Sequence, residues 1–271
     1  MQRFACVTVF LGLTRICMTV FSCLLSLGVS EGGVIAFSSD FESGLSGSIT
    51  GSASIVSVEG LQGKGNAGNT FSGNLMINKE RGLPAASCTL TLSNLPTHNA
   101  IQIGFLLAIL NSWDGSSEND RFEVLLDGQT LFTETFDNFF TNDQTYVPPA
   151  NVQIVDRIDL PPYNKAFPNL GFGGIGTDWG DAGYDMYFEP RLQNIAHSSS
   201  NATIVFRATY SGGSLEYDEY WGIDNLKVTL YGTATVPEPT SGIVFGFLGL
   251  ASLKLRNRKR CKQQVDRMEA P

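Results

Sequence analysis

Between Phe37 and Gly232 apolar positions recur every second residue in short runs, and clusters of Gly, Asn, Ser and Asp separate the runs. This pattern predicts strands at Ala53–Val58, Leu75–Asn78, Ser87–Ser93, Ala100–Leu110, Arg121–Leu126, Thr130–Phe136, Tyr184–Phe188, Ala202–Thr209 and Asn225–Tyr231. Asp127-Gly128, between two of them, is a hairpin signal because both residues tolerate a positive φ. No helical period persists in this stretch. About nine strands in one body imply an all-β fold, a two-sheet antiparallel sandwich of jelly-roll type over residues 37–232. The stretch from Asp137 to Ala182 is irregular and rich in Pro and Gly. A loop region of that length is usually functional or disordered.

The pattern changes at both ends. Residues 1–36 combine Arg3 with the apolar run Phe4–Leu11 and a second run from Val20 to Val29. A positive start, an apolar stretch and small residues make a secretory signal read by the secretion machinery. Val34-Ile35-Ala36 offers one cut, a cut after Ser30 is an alternative, and Arg15 leaves an uncleaved anchor open. At the other end, residues 240–253 run without a charge before Lys254, Arg256, Arg258, Lys259 and Arg260. Fourteen apolar residues are short for a bilayer, which wants about twenty. The basic cluster implies that this side stays cytoplasmic and the body lies outside. A plain tail anchor is an open reading of the same residues.

Pro237-Glu238-Pro239, followed by a short Gly- and Leu-rich apolar helix and an Arg-rich end, resembles the PEP-CTERM sorting signal of exported bacterial proteins. The resemblance covers about Val236 to Lys262 of the terminal segment 233–271, and the extra tail Gln263 to Pro271 departs from it. It implies recognition by an exosortase, a membrane-embedded cysteine protease, with cleavage near the motif. It also implies a cell-surface or extracellular setting among biofilm polysaccharide.

Charge sharpens this picture. Residues 37–237 hold 22 Asp and Glu against 9 Lys and Arg, a net of −13. Such a body repels nucleic acid and attracts cations, so nucleic-acid binding is excluded. Cys88 is the body's single cysteine, so no internal disulfide staples it. It shares a strand face with Leu90 and Leu92, as a buried thiol would.

Ser39-Asp40-Phe41-Glu42-Ser43-Gly44 and Trp221-Gly222-Ile223-Asp224-Asn225-Leu226 are similar to the opening and closing strands of MAM-like and carbohydrate-binding jelly rolls. In those folds the two strands run side by side, and calcium often ties them. The resemblance implies Glu42 and Asp224 as calcium ligands, Asp40 as a third, and the Gly63 or Lys64 carbonyl as completion. Ordinary strand-edge acids are the competing account.

Other chemistry was weighed on residue types. Ser112 to Asp120 sets oxygen-bearing side chains, Asp114 and Asp120 among them, beside a Gly turn where they could bind a cation, with Trp113 as a flat face for a sugar ring. Trp179 and Trp221 are further stacking candidates. A solvated acidic loop and buried core aromatics are the plainer accounts. Gly171-Phe172-Gly173-Gly174-Ile175-Gly176 lacks the strand–helix unit of a dinucleotide site. His98 and His197 have no acid or cysteine near them in sequence, which argues against a histidine triad or a zinc site. The expectation is therefore an exported, calcium-stabilised domain that binds carbohydrate and is not an enzyme. One alternative is a glycoside hydrolase or lyase with acids at Asp218 and Glu219; another is a structural or adhesive matrix protein.

Overall fold

A computed structural model describes residues 32–79, 86–138, 143–158, 167–172, 180–210 and 219–232. These belong to the compact unit Ser30–Gly232. Most of the signal segment, Trp179, Asp218, Pro237-Glu238-Pro239, the apolar run and the basic cluster lie outside the described residues. Among the described residues no helix is long and apolar enough to cross a membrane.

The described chain is almost wholly antiparallel β. In order, the strands are β1 Val34–Ser39, β2 Ile49–Gly51, β3 Ser54–Ser57, β4 Gly65–Asn66, β5 Asn69–Thr70, β6 Asn74–Asn78 and β7 Ser87–Leu92. They continue with β8 Ala100–Leu110, β9 Arg121–Leu126, β10 Gln129–Thr135, β11 Ala182–Asp185, β12 Ile195–Ala196, β13 Ala202–Thr209 and β14 Tyr220–Tyr231. One sheet has the order β11-β8-β14-β6-β3, with β1 also on β14 and β12 on β8. A second has the order β10-β9-β13-β7-β2, and β4-β5 form a small ribbon. Asp127 and Gly128, both at positive φ, turn β9 into β10 as their chemistry requires.

Alternation explains which face each strand buries. In β13, Ala202, Ile204, Phe206 and Ala208 are buried while their neighbours are not. In β7 the buried set is Cys88, Leu90 and Leu92. These residues meet Ile103, Phe105, Leu107 and Ile109 of β8 in one core. Phe105 of the larger sheet packs edge-on against Phe206 and Phe122 of the smaller, and Phe122 meets Trp221, so the two sheets face each other as a sandwich. Each such ring contributes about 1.5–3 kcal/mol by leaving water.

β14 runs the length of its sheet. On one side it pairs with β8; on the other it pairs with β6 through Trp221–Ile223 and then with β1 through Leu226–Leu230. Between the two partners its register slips, and Asn225 takes a positive φ of 50°. This bulge changes the buried parity: Trp221 and Ile223 point into the core before it, Leu226, Val228 and Leu230 after it.

Two boundaries differ from the sequence reading. Val34–Ala36, assigned above to the signal, are β1 residues, and Val34 and Ile35 pair with Leu230 and Thr229. A cut after Ser30 leaves β1 whole, whereas a cut after Ala36 removes half of it. The strand expected at Tyr184–Phe188 occupies Ala182–Asp185, and Met186–Phe188 closes into a 3-10 turn. The described parts of the long loop region are packed: Tyr146, Val152, Val155 and Phe167 belong to the core.

Candidate functional site

The partner exchange on β14 leaves a short interval in which neither β1 nor β6 covers the strand. Asp224 sits in that interval and is fully buried. Its Oδ2 accepts the Ser72 amide at 3.1 Å and its Oδ1 the Asn225 amide at 2.6 Å. Burial pushes this carboxyl up to about 7, and the charges of Glu42 and Asp40 add to the push. Glu42 accepts from the Asn74 amide at 2.9 Å and from its side-chain nitrogen at 3.0 Å. Gly73 passes beneath that carboxylate with no room for a Cβ. The structure therefore brings Asp40, Glu42 and Asp224 to one seam between the first strand and the last. Their oxygens do not converge as a ready ligand set. Lys64, offered as a carbonyl ligand, receives the Phe71 amide at 2.9 Å on that oxygen.

Beside the seam lies an open cleft of about 340 Å³. Its walls come from the end of β1 (Ser38, Ser39, Asp40), the bulge of β14 (Asn225, Leu226, Lys227), the β4–β5 turn (Gly68, Asn69) and Tyr187 of the 3-10 turn. An amide network fixes them. The Tyr187 hydroxyl donates to the Asn225 carbonyl at 2.9 Å, and the Asn225 amide donates to Asn69 and to the Thr70 carbonyl. Asn69 and Asn66 both donate to Asp185. Gly104 of β8 lets Tyr187 lie against the sheet, since a Cβ there would meet the ring at 2.5 Å. Burial, then Asp185 and Asp224, raise the Tyr187 hydroxyl above the usual phenol range, so it acts as a donor.

A second acidic group lies elsewhere. Asp114, Asp120 and Glu219 place carboxylate oxygens within 4.8 Å of one another, the one such group among the described residues. The Asp114 amide donates to Asp120 Oδ2 at 2.7 Å, and Glu219 enters just ahead of β14. Burial raises the Asp114 carboxyl, with Asp137 and Glu118 adding to it. All three acids are sequence candidates, Asp114 and Asp120 in a cluster able to bind a cation beside Trp113, and Glu219 paired with Asp218. Their common position rests on the turn after β8 folding back onto the start of β14, a contact over about a hundred residues that no local pattern shows.

The stacking candidates need correction. Trp113 and Trp221 are both 0% exposed, and the Trp113 indole nitrogen donates to the Tyr220 carbonyl at 2.8 Å. Each is a core ring with no face open to a sugar. Trp179 lies outside the described residues. Tyr187, one of several aromatics that the sequence offers for stacking, does line the cleft, while Asn225 is not a sequence candidate; the break in alternation at Asp224-Asn225 was the available signal.

No protein-family model matches the chain, and no curated protein matches it. Among solved structures it is similar to the Agl-KA catalytic domain at 9% identity and TM-score 0.31, over 77% of this chain and 30% of that one. It is similar to the K3 cleaved adhesin domain of Lys-gingipain from Porphyromonas gingivalis at 13% identity and TM-score 0.29, over 72% and 99%. It is also similar to the catalytic unit of a GH87 alpha-1,3-glucanase from Streptomyces thermodiastaticus at 11% identity and TM-score 0.25, over 77% and 28%. The chain thus spans less than a third of the first of these. The expectation that the chain is not an enzyme is corrected by these matches, because catalytic units stand among them; they assign it no reaction.

The buried carboxyls set a pH dependence. Asp224 is held near 7 and Asp181, buried with three backbone amides on it, near 6, against about 3.9 in an unfolded chain. Between those limits the folded state keeps protons that the unfolded state has released, so stability falls as pH rises from about 4 to 7. With chelator present the protein should melt higher at pH 5 than at pH 7.5, and Asp224→Asn should flatten the profile. A metal-free melting temperature that climbs across this range contradicts the assignment.

Proposed function

We propose that this chain is an exported cell-surface or extracellular-matrix protein whose sandwich engages polysaccharide in the β1–β14 cleft. The observation that carries this reading is the cleft wall. It sets amides, hydroxyls, one carboxylate and one ammonium around Tyr187, the donor and acceptor mix that a sugar's hydroxyls match. Its size lies at the small end of ordinary ligand sites, suited to one or two rings. A calcium ion at the neighbouring seam is part of the proposal. Calcium takes six to eight oxygens, largely from carboxylates and backbone carbonyls. Asp224, Glu42 and Asp40 would hold it by drawing their carboxylates together, and it would offset the burial and the neighbouring charges that lift the Asp224 carboxyl. Export through residues 1–36 and exosortase sorting at Pro237-Glu238-Pro239 complete the reading.

A second reading, polysaccharide cleavage, is favoured by one observation: Asp114, Asp120 and Glu219 bring carboxylates as close as a retaining glycosidase needs. Asp114, half-buried and raised, suits the acid.

Calcium should raise the melting temperature reversibly; binding only to the folded state adds about 2.7 kcal/mol at a hundredfold excess over Kd. At roughly 2–4 °C per kcal/mol for a domain of this size, that is several degrees. Glu42→Gln or Asp224→Asn should abolish the gain while Glu219→Gln retains it; the reverse pattern moves the ion to the Asp114 group.

In polysaccharide-containing native gels the protein should be retarded, and Tyr187→Ala or Lys227→Ala should remove the retardation. Retardation that survives both changes places the sugar elsewhere. New reducing ends that vanish with Asp114→Asn would select the cleavage reading.

Replacing Pro237-Glu238-Pro239 by alanines should leave a longer, membrane-retained product in an exosortase-bearing host. Parent and mutant of equal size and location would remove the sorting assignment.

A further inference from the structure

The chain's two histidines, far apart in sequence, meet at one end of the sandwich. His98 lies in the turn from β7 to β8, which crosses between the sheets, and His197 directly follows β12. His98 Nε2 is 2.7 Å from His197 Nδ1. The ring centres are 4.9 Å apart and the planes 18° from parallel, so with the facing nitrogens this near the rings meet edge to edge. Both are nearly closed off from solvent: His98 is 4% exposed and the His197 side chain 6%.

The outer nitrogens settle the protons. His98 Nδ1 is 2.6 Å from the Pro96 carbonyl oxygen, and His197 Nε2 is 3.1 Å from Asp127 Oδ2. A carbonyl and an ionised carboxylate only accept hydrogen bonds, so each outer nitrogen carries the hydrogen. A neutral imidazole carries just one. Both inner nitrogens are then bare, and two lone pairs face each other at 2.7 Å. That contact is repulsive until a positive charge enters it.

We propose that His98 and His197 form a binding site for one bridging cation, held between two imidazole lone pairs. The cation is a proton, which fits the observed separation as it stands, because 2.7 Å is hydrogen-bond distance.

The surroundings hold this geometry. Asp127 is the charged group bonded to the pair, and it comes from the β9–β10 turn. Its Oδ1 accepts the Thr203 amide at 2.8 Å, and its own amide donates to the Thr203 carbonyl at 2.8 Å. The His197 amide donates to the Asn99 carbonyl at 3.2 Å. The β7–β8 turn otherwise presents the neutral Pro96 and Asn99 carbonyls, and β13 the Thr203 amide. One cation thereby fastens three loops from both sheets.

The test uses the full chain labelled with nitrogen-15 in histidine, which yields four ring signals to assign. With chelator, lowering the pH from 8 to 5 should add one proton to the pair as a unit and show nitrogen–nitrogen coupling across it. Asp127→Asn should move that uptake to lower pH, and His98→Asn should abolish the coupling. The wild-type spectra decide even if a variant fails to fold. Independent titration of the two rings without coupling overturns the proposal.

Discussion

β14 has to serve two neighbours in succession along one edge. β6 takes its first half and β1 its second, while β8 runs unbroken along the other side. The change of neighbours coincides with an extra residue in β14 relative to β8. The bulge at Asp224–Lys227 absorbs it, and Phe105 of β8 stands opposite as the fixed point packed on Phe122 and Phe206. From that constraint follow the uncovered interval at Asp224, the turned-out Asn225 and the cleft between β1 and Tyr187. The core and the candidate site are two faces of one change in register.

The buried acids show how differently one sandwich treats like charges. Glu189 is held below the usual carboxylate range because Arg191 and the Tyr146 hydroxyl bond to it and outweigh its burial. Asp185 receives Asn66, Asn69 and a backbone amide, yet its burial prevails and the carboxyl rises. Asp224 has two amides and two nearby carboxylates, and it rises further. Ionic pairing settles the first case, while burial settles the other two. This order follows from what each position meets: Glu189 caps the 3-10 turn that contains Arg191, whereas Asp224 meets two amides and the charges of Glu42 and Asp40.

Much of the fold was legible because alternation is a local signal. β8, β9 and β13 occupy the residues that their apolar periods mark. The first half of β1 falls to the signal segment because Val34-Ile35-Ala36 reads equally well as a cleavage site. β4, β5 and β12 are two-residue pairings that no period of two can show. At the site, Asp40, Glu42 and Asp224 were readable as a trio through resemblance at the two ends of the domain. The stacking tryptophans misled because a large ring near a Gly turn reads the same whether it faces water or the core. Trp113 and Trp221 face the core because the turn after β8 folds over them, a contact distant in sequence.

The bulge that shapes the cleft and the point where the chain leaves the sandwich belong to the same strand. Lys227 lines the cleft, and Tyr231 ends β14 just before the chain passes on toward Pro237. A pull between something held in the cleft and the downstream chain would therefore run lengthwise along β14. Its hydrogen bonds to β8 on one side and to β1 on the other lie across that direction, so they would be loaded together in shear, not opened one after another like a zip. The geometry sets a shear-resistant axis along the line from the cleft to the end of β14.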